Sequence, residues 1–156
     1  MKFAAVIASA AAFIAAASQA SPLVWTNCAP PGAVVSDVSF KMDGEWACVG
    51  EKVCGTLTGI FPDPIIQGSK LVVSVKYLGR ITNTFNADLC TVLGESGYNC
   101  PVPAGPKTIH ACIHYNGEVV NIPGNTTMYA YNGDSKYLFC QASTVMNKNC
   151  TLSPNP

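Results

Sequence analysis

The strongest structural signal in the chain is a pair of segments, 53–61 and 71–77, in which apolar and polar residues alternate. A two-residue period is typical of half-buried antiparallel strands. Pro62 and Pro64 lie between the segments and cannot donate ladder hydrogen bonds, so they predict a turn or an edge. We therefore expect two strands joined by a turn, with the remaining chain folded over them. The apolar residues that share a face are Val53, Leu57 and Phe61 in the first segment and Leu71, Val73, Val75 and Tyr77 in the second.

Residues 1–20 have the composition of a cleaved secretory signal. Lys2 supplies a positive start, and an apolar, alanine-rich run ends in small residues at the predicted cleavage site. The run is shorter than the roughly 20 residues that a membrane span needs. We expect residues 21–156 to form a single domain, with 146–156 as a loose polar tail. The predicted location is the secretory pathway, then the cell exterior or the lumen of a vacuole or lysosome.

The charge balance excludes some classes of partner. Eight basic and nine acidic residues follow the predicted signal, and no run of lysine or arginine occurs. Such a chain presents no electrostatic footprint for nucleic acid and no polybasic patch for a membrane surface. We therefore expect no nucleic-acid partner.

All eight cysteines follow the predicted signal, and an even count in that position predicts a disulfide framework. No C-x-x-C pair occurs, which disfavours a zinc site. Two N-glycosylation sequons begin at Asn125 and Asn149. Asn125 is predicted to lie in a polar loop. Asn149 is the less favourable acceptor, because Cys150 follows it and can form a bond early.

The chain contains about seven short strand-like segments separated by turn signals, and no segment has convincing helical periodicity. This pattern predicts an all-β fold, an immunoglobulin-like β-sandwich of two antiparallel sheets stapled by disulfides.

The sequence offers little support for an enzyme. His110 and His114 lie on one predicted strand, roughly 13 Å apart at Cα if the strand is straight, which is long for two ligands of one zinc ion. No G-x-S-x-G motif occurs, and no cysteine has a papain-like context. A pair of carboxylates brought together in space stays open as an alternative. We expect no enzyme activity, no metal and no cofactor.

A binding function remains. A secreted sandwich whose sheets separate slightly can hold an apolar ligand between them, because small-molecule sites are mostly apolar cavities with few polar groups. On these residues alone, an adhesion or pathogen-recognition module is an equal alternative.

A series of short motifs, in order, carries a more specific signal and covers about residues 25–145. The motifs are Val53-Cys54-Gly55-Thr56-Leu57-Thr58-Gly59, Pro64-Ile65-Ile66-Gln67-Gly68, Val75-Lys76-Tyr77, Phe85-x-x-Asp88-Leu89-Cys90, Cys100-Pro101 and Leu138-Phe139-Cys140. Their order and spacing resemble the ML lipid-recognition domain, and within it the fungal phosphatidylglycerol/phosphatidylinositol transfer proteins. A lysosomal relative in the Niemann–Pick type C pathway binds cholesterol.

The resemblance implies an immunoglobulin-like sandwich with a lipid cavity between its sheets. It also implies three disulfides, and the two cysteines that depart from that pattern are then expected to bond to each other. The predicted pairs are Cys28–Cys140, Cys48–Cys54, Cys90–Cys100 and Cys112–Cys150.

The resemblance further implies a carrier of a sterol or phospholipid, monomeric, that contacts membranes transiently and can deliver its lipid to a membrane receptor. The alternative is a lipid-sensing module that acts through a protein partner. The head group is expected at the cavity mouth, where Lys52, Lys70, Lys76 or Arg80 could meet a phosphate. The residues predicted to contact lipid are Leu57, Phe61, Leu71, Val73, Val75, Phe85, Ile109, Ile113, Ile122 and Pro123.

Overall fold

A computed structural model describes residues 23–117 and 121–150. The predicted signal peptide, residues 1–20, and the last part of the predicted tail lie outside the described residues. The elements in chain order are β1 (Thr26–Asn27), β2 (Ser36–Met42), β3 (Trp46–Cys48), β4 (Lys52–Phe61), β5 (Lys70–Tyr77), β6 (Arg80–Asp88), α1 (Leu89–Glu95), β7 (Gly105–His114), β8 (Pro123–Tyr131) and β9 (Tyr137–Lys148).

The strands form two sheets, which confirms the predicted all-β sandwich. The larger sheet has the order β1-β9-β8-β5-β6, with β3 also paired to β9, and the smaller sheet has the order β2-β4-β7. Neighbouring strands are antiparallel, except that β3 runs parallel to β9.

The two alternating segments form strands as predicted, but they do not pair with each other. β4 is the central strand of the smaller sheet, whereas β5 pairs with β6 and β8 in the larger one. Residues 62–69 therefore cross from one sheet to the other. The apolar faces of β4 and β5 meet across the interior instead of lying side by side.

The crossing segment is held by the side chain of Asn132, which is buried just after β8. Its Oδ1 accepts hydrogen bonds from the backbone N–H of Ile66 at 3.0 Å and from the Ser69 hydroxyl at 2.8 Å, while its Nδ2 donates to the Pro64 carbonyl at 3.0 Å. This one amide therefore fixes the crossing segment against the β8–β9 turn.

The short helix α1 is a feature that the sequence analysis did not predict. Asp88 caps it, because its Oδ1 accepts from the backbone N–H of Thr91 at 2.7 Å. Leu89 and Leu93 are buried, and the helix contacts β5, β6 and β7. Seven residues are too few to show helical periodicity in a sequence.

The two edges between the sheets are closed differently. On one side the segment before β2 bonds to β9: the N–H groups of Val34 and Val35 donate to the carbonyls of Tyr137 and Leu138 at 2.9 and 3.1 Å. On the other side the edge strands are β6 and β7, and α1 packs across them. Among the described residues the second edge therefore has no ladder between β6 and β7, and it is closed by α1, by the Cys90–Cys100 bond and by the Tyr98 hydroxyl, which donates to the Thr108 carbonyl at 3.1 Å.

The structure contains four disulfides, and two of them differ from the prediction. Cys28–Cys140 and Cys90–Cys100 are present as the resemblance implied. Cys48–Cys54 and Cys112–Cys150 were wrong. Cys54 and Cys112 are directly opposite each other on β4 and β7, so they point to the same face of the sheet and bond to each other. Cys48 lies at the end of β3, beside the end of β9, where it bonds Cys150.

Two further expectations, a loose tail from residue 146 and a loop at Asn125, differ from the structure. The loose tail predicted from residue 146 is wrong for 146–148, because β9 continues through Lys148 and pairs with β3. Asn125 lies exposed within β8 and not in a loop, and its Oδ1 accepts from the Thr144 hydroxyl at 3.1 Å. Glycosylation at Asn125 or Asn149 stays a prediction.

Candidate functional site

A cavity lies between the two sheets. The centre of a water-sized sphere can move within about 110 Å³ of it. A single water needs only roughly 10–15 Å³ on that measure, so the interior is not filled by its own side chains. Its walls come from β2, β3, β4, β5, β7, β8, β9 and α1, together with Trp25 before β1.

The strand registers explain which side chains face the cavity. On the smaller sheet Gly55 is opposite Ala111 and Leu57 is opposite Ile109, and all four line the cavity. On the larger sheet the same alternation brings Val73 and Met128 to the interior. The two-residue period seen in the sequence is therefore the direct cause of an apolar interior.

Gly55 lies at a place where the cavity wall has no room for a side chain. A Cβ at this position would collide with the ring of Phe40 on β2, whose Cε2 would lie 2.7 Å away. Phe40 in turn meets Trp25 edge to face, with ring centroids 4.8 Å apart. Glycine thus lets a large aromatic pair reach the cavity from the side of β2.

Seven of the ten residues predicted to contact lipid line the cavity. They are Leu57, Phe61, Leu71, Val73, Val75, Ile109 and Ile113. Whether these side chains contact a lipid stays a prediction.

The other three predicted residues, Phe85, Ile122 and Pro123, do not line the cavity. Phe85 is paired with Val73 and packs against the core, but its strand β6 is the edge of the sheet, beyond the cavity wall. Ile122 packs against a second core cluster, and Pro123 is exposed at the start of β8. The resemblance did not fix these positions by residue identity, and contact of these three side chains with a lipid stays a prediction.

The cavity has one end without polar side chains. Phe61, Ile65, Leu89, Leu93 and Ile109 line it and belong to the larger cluster of buried residues. The sequence analysis missed the contribution of α1 to this end. The only local signal for it was Asp88, an N-cap residue three positions before Thr91.

The opposite end carries the polar side chains of the cavity. Tyr115 and Asn147 line it with only 5% and 1% of their surfaces exposed. Thr126 and Trp25 also face the cavity. The Asn147 Nδ2, the Tyr115 hydroxyl and the Trp25 Nε1 are buried atoms that no protein group meets with hydrogen-bond geometry.

The loop after β3 brings this polar end together. The N–H of Val49 donates to the Lys148 carbonyl at 2.9 Å, and the N–H of Gly50 donates to the Tyr115 carbonyl at 2.8 Å. Burial raises the pKa of the Tyr115 phenol, while the nearby side chains of Tyr77 and Asn147 lower that pKa by a smaller amount. Tyr115 therefore stays protonated and can donate a hydrogen bond at neutral pH.

Charged side chains are absent from the cavity lining within the described residues. His110 lies outside, where its Nε2 is 2.8 Å from the exposed Asp43 carboxylate, and Lys52 is 3.6 Å from Glu95. Residues 23–117 and 121–150 contain no cluster of three or more metal-ligating side chains. In the same ranges no helix has the length and hydropathy of a membrane span. The described lining can thus take up an apolar molecule with an uncharged polar group, and none of its residues is a lysine, arginine or histidine that could meet a phosphate.

Comparison with known proteins gives a consistent result. The family model of the ML domain matches residues 23–146. The phosphatidylglycerol/phosphatidylinositol transfer protein of Neurospora crassa is 31% identical over 106 residues, which cover 66% of this chain and 58% of that protein. The protein of the same name from Pyricularia oryzae is 30% identical over 109 residues, covering 67% and 60%. The chain thus spans less than two thirds of the length of these relatives.

Two solved structures share the fold. A Niemann–Pick type C2 protein from the Japanese carpenter ant aligns with a TM-score of 0.60 at 10% identity, over 80% of this chain and 99% of that one. Chicken MD-1, solved in complex with lipid IVa, aligns with a TM-score of 0.56 at 17% identity, over 79% and 87%.

Proposed function

The chain belongs to the ML-domain family, and we propose that it binds a sterol or phospholipid between its two sheets and transfers it between membranes. The observation that carries the proposal is the unfilled apolar cavity on which both sheets and α1 converge. Each methylene that leaves water for this interior contributes about 0.8 kcal/mol, so an acyl chain or a sterol ring system gains a large binding energy. The fungal relatives are named for transfer of two phospholipids, which supports lipid as the cargo class.

Entry and release would occur at the edge between β6 and β7. Among the described residues this edge has no ladder between β6 and β7 and is bridged by α1, which the Cys90–Cys100 bond ties to the segment before β7, whereas the opposite edge is closed by backbone hydrogen bonds between the segment before β2 and β9. A small displacement of α1 at a membrane or a receptor would expose the cavity without breaking a ladder. We propose that the protein acts as a monomer that contacts membranes only transiently.

The four disulfides support a location in an oxidising compartment. We propose the secretory pathway, with the cell exterior or a vacuolar or lysosomal lumen as the destination. Both fit a carrier that exchanges lipid with membranes facing that space.

The test is transfer of a fluorescent sterol and of a fluorescent phosphatidylglycerol between vesicles, with wild type and Val73→Asp. Val73 faces the cavity, and a carboxylate there costs several kcal/mol in apolar surroundings unless it is protonated. Ser74→Asp is the matched control, because Ser74 is the next residue on β5 and does not line the cavity.

We expect wild type and Ser74→Asp to transfer at least one of the two lipids, and folded Val73→Asp to transfer neither. Near-ultraviolet circular dichroism establishes folding, and Ala111→Leu serves as an uncharged second blocking variant. Equal transfer by all folded variants would refute the cavity as the carrier site. Stoichiometric binding without transfer would favour the lipid-sensing alternative.

A further inference from the structure

The polar end of the cavity contains buried donors that no protein group meets with good hydrogen-bond geometry, although the Tyr115 hydroxyl lies near the side chains of Tyr77 and Asn147. Asn147 Nδ2 and Trp25 Nε1 are buried without a hydrogen-bond partner, and the Tyr115 hydroxyl has none with proper geometry. Buried polar groups in native proteins are almost always satisfied, so each exception calls for an explanation. Leaving one such donor unmet costs about 1–3 kcal/mol of folding free energy.

We propose that Tyr115 and Asn147 form a buried recognition site for an uncharged oxygen of the lipid, so that the cargo is a neutral lipid with a single hydroxyl and enters oxygen first. This inference rests on the proposed function and specifies its ligand class. It also places the polar group inside the cavity and not at its mouth.

The chemistry of the donors selects the oxygen. Asn147 Nδ2 can only donate, whereas the Tyr115 hydroxyl can donate or accept. A lipid hydroxyl accepts from the first and exchanges a hydrogen bond with the second in either direction. The remainder of the lipid then lies against Val73, Leu71 and Phe139, toward the end without polar side chains.

The absence of charge in the lining excludes an ionised head group from this site. Among the described residues the cavity wall carries no lysine, arginine or histidine. A phosphate or carboxylate moved there would lose its hydration without gaining an opposite charge, which costs several kcal/mol. A phosphodiester lipid could therefore use the cavity only with its head group elsewhere.

The position of the two side chains is fixed by restraints other than their own polar atoms. Asn147 lies in β9, paired with Ala47, and the Cys48–Cys150 bond ties the same end. Tyr115 is held through its backbone, whose N–H donates to the Glu51 carbonyl at 2.9 Å. Apolar replacements of similar shape should therefore leave the fold in place.

The experiment compares Tyr115→Phe and Asn147→Leu with wild type in two measurements. The first is competition of 1-hexadecanol and of hexadecane against a fluorescent lipid probe, from which we take the ratio of the two affinities for each variant. The second is the melting temperature of the delipidated protein. Tyr129→Phe is the matched control, because Tyr129 lies on β8 but outside the cavity lining and stacks with Tyr137.

We expect the hydroxyl preference to fall by roughly 5- to 10-fold in each variant, as one hydrogen bond to the ligand is lost, and to stay within about 2-fold in the control. Each probe also partitions between water and the medium that delivers it, and this partition does not depend on the variant. It therefore cancels when the affinity ratios of two variants are compared. The delipidated variants should melt no lower than wild type, because each substitution removes an unmet buried donor.

Other outcomes would overturn the inference. A lowered melting temperature with an unchanged ratio would mean that the two side chains serve the fold, through each other or a trapped water. Unchanged values in both measurements would mean that the ligand oxygen lies elsewhere, and the proposed function would survive. If wild type bound neither probe and transferred no lipid, the proposed function itself would fail.

Discussion

The substitution Ala111→Leu separates a ligand cavity from an ordinary core. Ala111 lies on β7 opposite Gly55, and its side chain faces the cavity. Leucine adds three carbons to a space that admits the centre of a water-sized sphere over about 110 Å³. In a well-packed core the same change would cost about 1–3 kcal/mol through overpacking.

The expected magnitude follows from apolar burial. Three added carbons at about 0.8 kcal/mol each give at most about 2.4 kcal/mol. The unfolded chain already shields part of that surface, so we expect a gain of about 1 kcal/mol in the free energy of unfolding. For a domain of this size that corresponds to a rise of about 2–4 °C in melting temperature.

Lipid affinity should change in the opposite direction. The lipid loses the space that the leucine takes, roughly three methylene contacts or about 2 kcal/mol, which weakens binding about 30-fold. The assays are thermal unfolding of the delipidated protein and titration with a fluorescent lipid. Ala142→Leu is the control, because Ala142 is paired with Thr127 outside the cavity lining.

A lower melting temperature together with unchanged lipid affinity would refute the reasoning. It would mean that the space beside Ala111 is not available in solution and that lipid does not bind there. Stabilisation with weakened binding is the result that an empty ligand cavity predicts.

Two further predictions concern what holds the cavity walls. Asn132→Ala should lower the free energy of unfolding by about 2–3 kcal/mol, because the Ile66 and Gly133 N–H groups lose their acceptor and the Pro64 carbonyl loses its donor, while the Ser69 hydroxyl keeps the Ile66 carbonyl. Urea denaturation measures this against Ser135→Ala, and a loss below about 1 kcal/mol would contradict the role of Asn132. Peptide mapping without reduction should recover Cys54 linked to Cys112 and Cys48 linked to Cys150. Cys112→Ser should then free the thiol of Cys54. The free energy of unfolding should fall by about 4 kcal/mol, as the chain-entropy model gives for a 58-residue separation. A free thiol at Cys150 in this variant would contradict the assigned pairing.

The sequence predicted the part of the fold that depends on local pattern. Alternation placed β4 and β5 and assigned Leu57, Val73 and Ile109 to the interior, because side-chain direction in a strand follows from the two-residue period alone. It could not show that β4 and β5 belong to different sheets. Strand pairing is a non-local property, and the crossing at residues 62–69 has the composition of an ordinary turn.

The same limit explains the disulfide errors. Cys54 and Cys112 bond because β4 and β7 are neighbours in register, which no local pattern reveals. The helix α1 was not predicted, because it is too short to show helical periodicity. The burial of Asn147 was not predicted, because a polar residue near a polar C-terminus suggests a tail. The parallel pairing of β3 with β9 buries it.

The central claim is that the cavity holds a lipid. The most direct measurement is native mass spectrometry of the protein secreted from a eukaryotic host, followed by organic extraction and identification of what it carried. We predict a co-purified lipid at close to one molecule per chain, bound within the monomer. A protein that emerges empty, and that also takes up no sterol or phospholipid from mixed vesicles, would contradict the account.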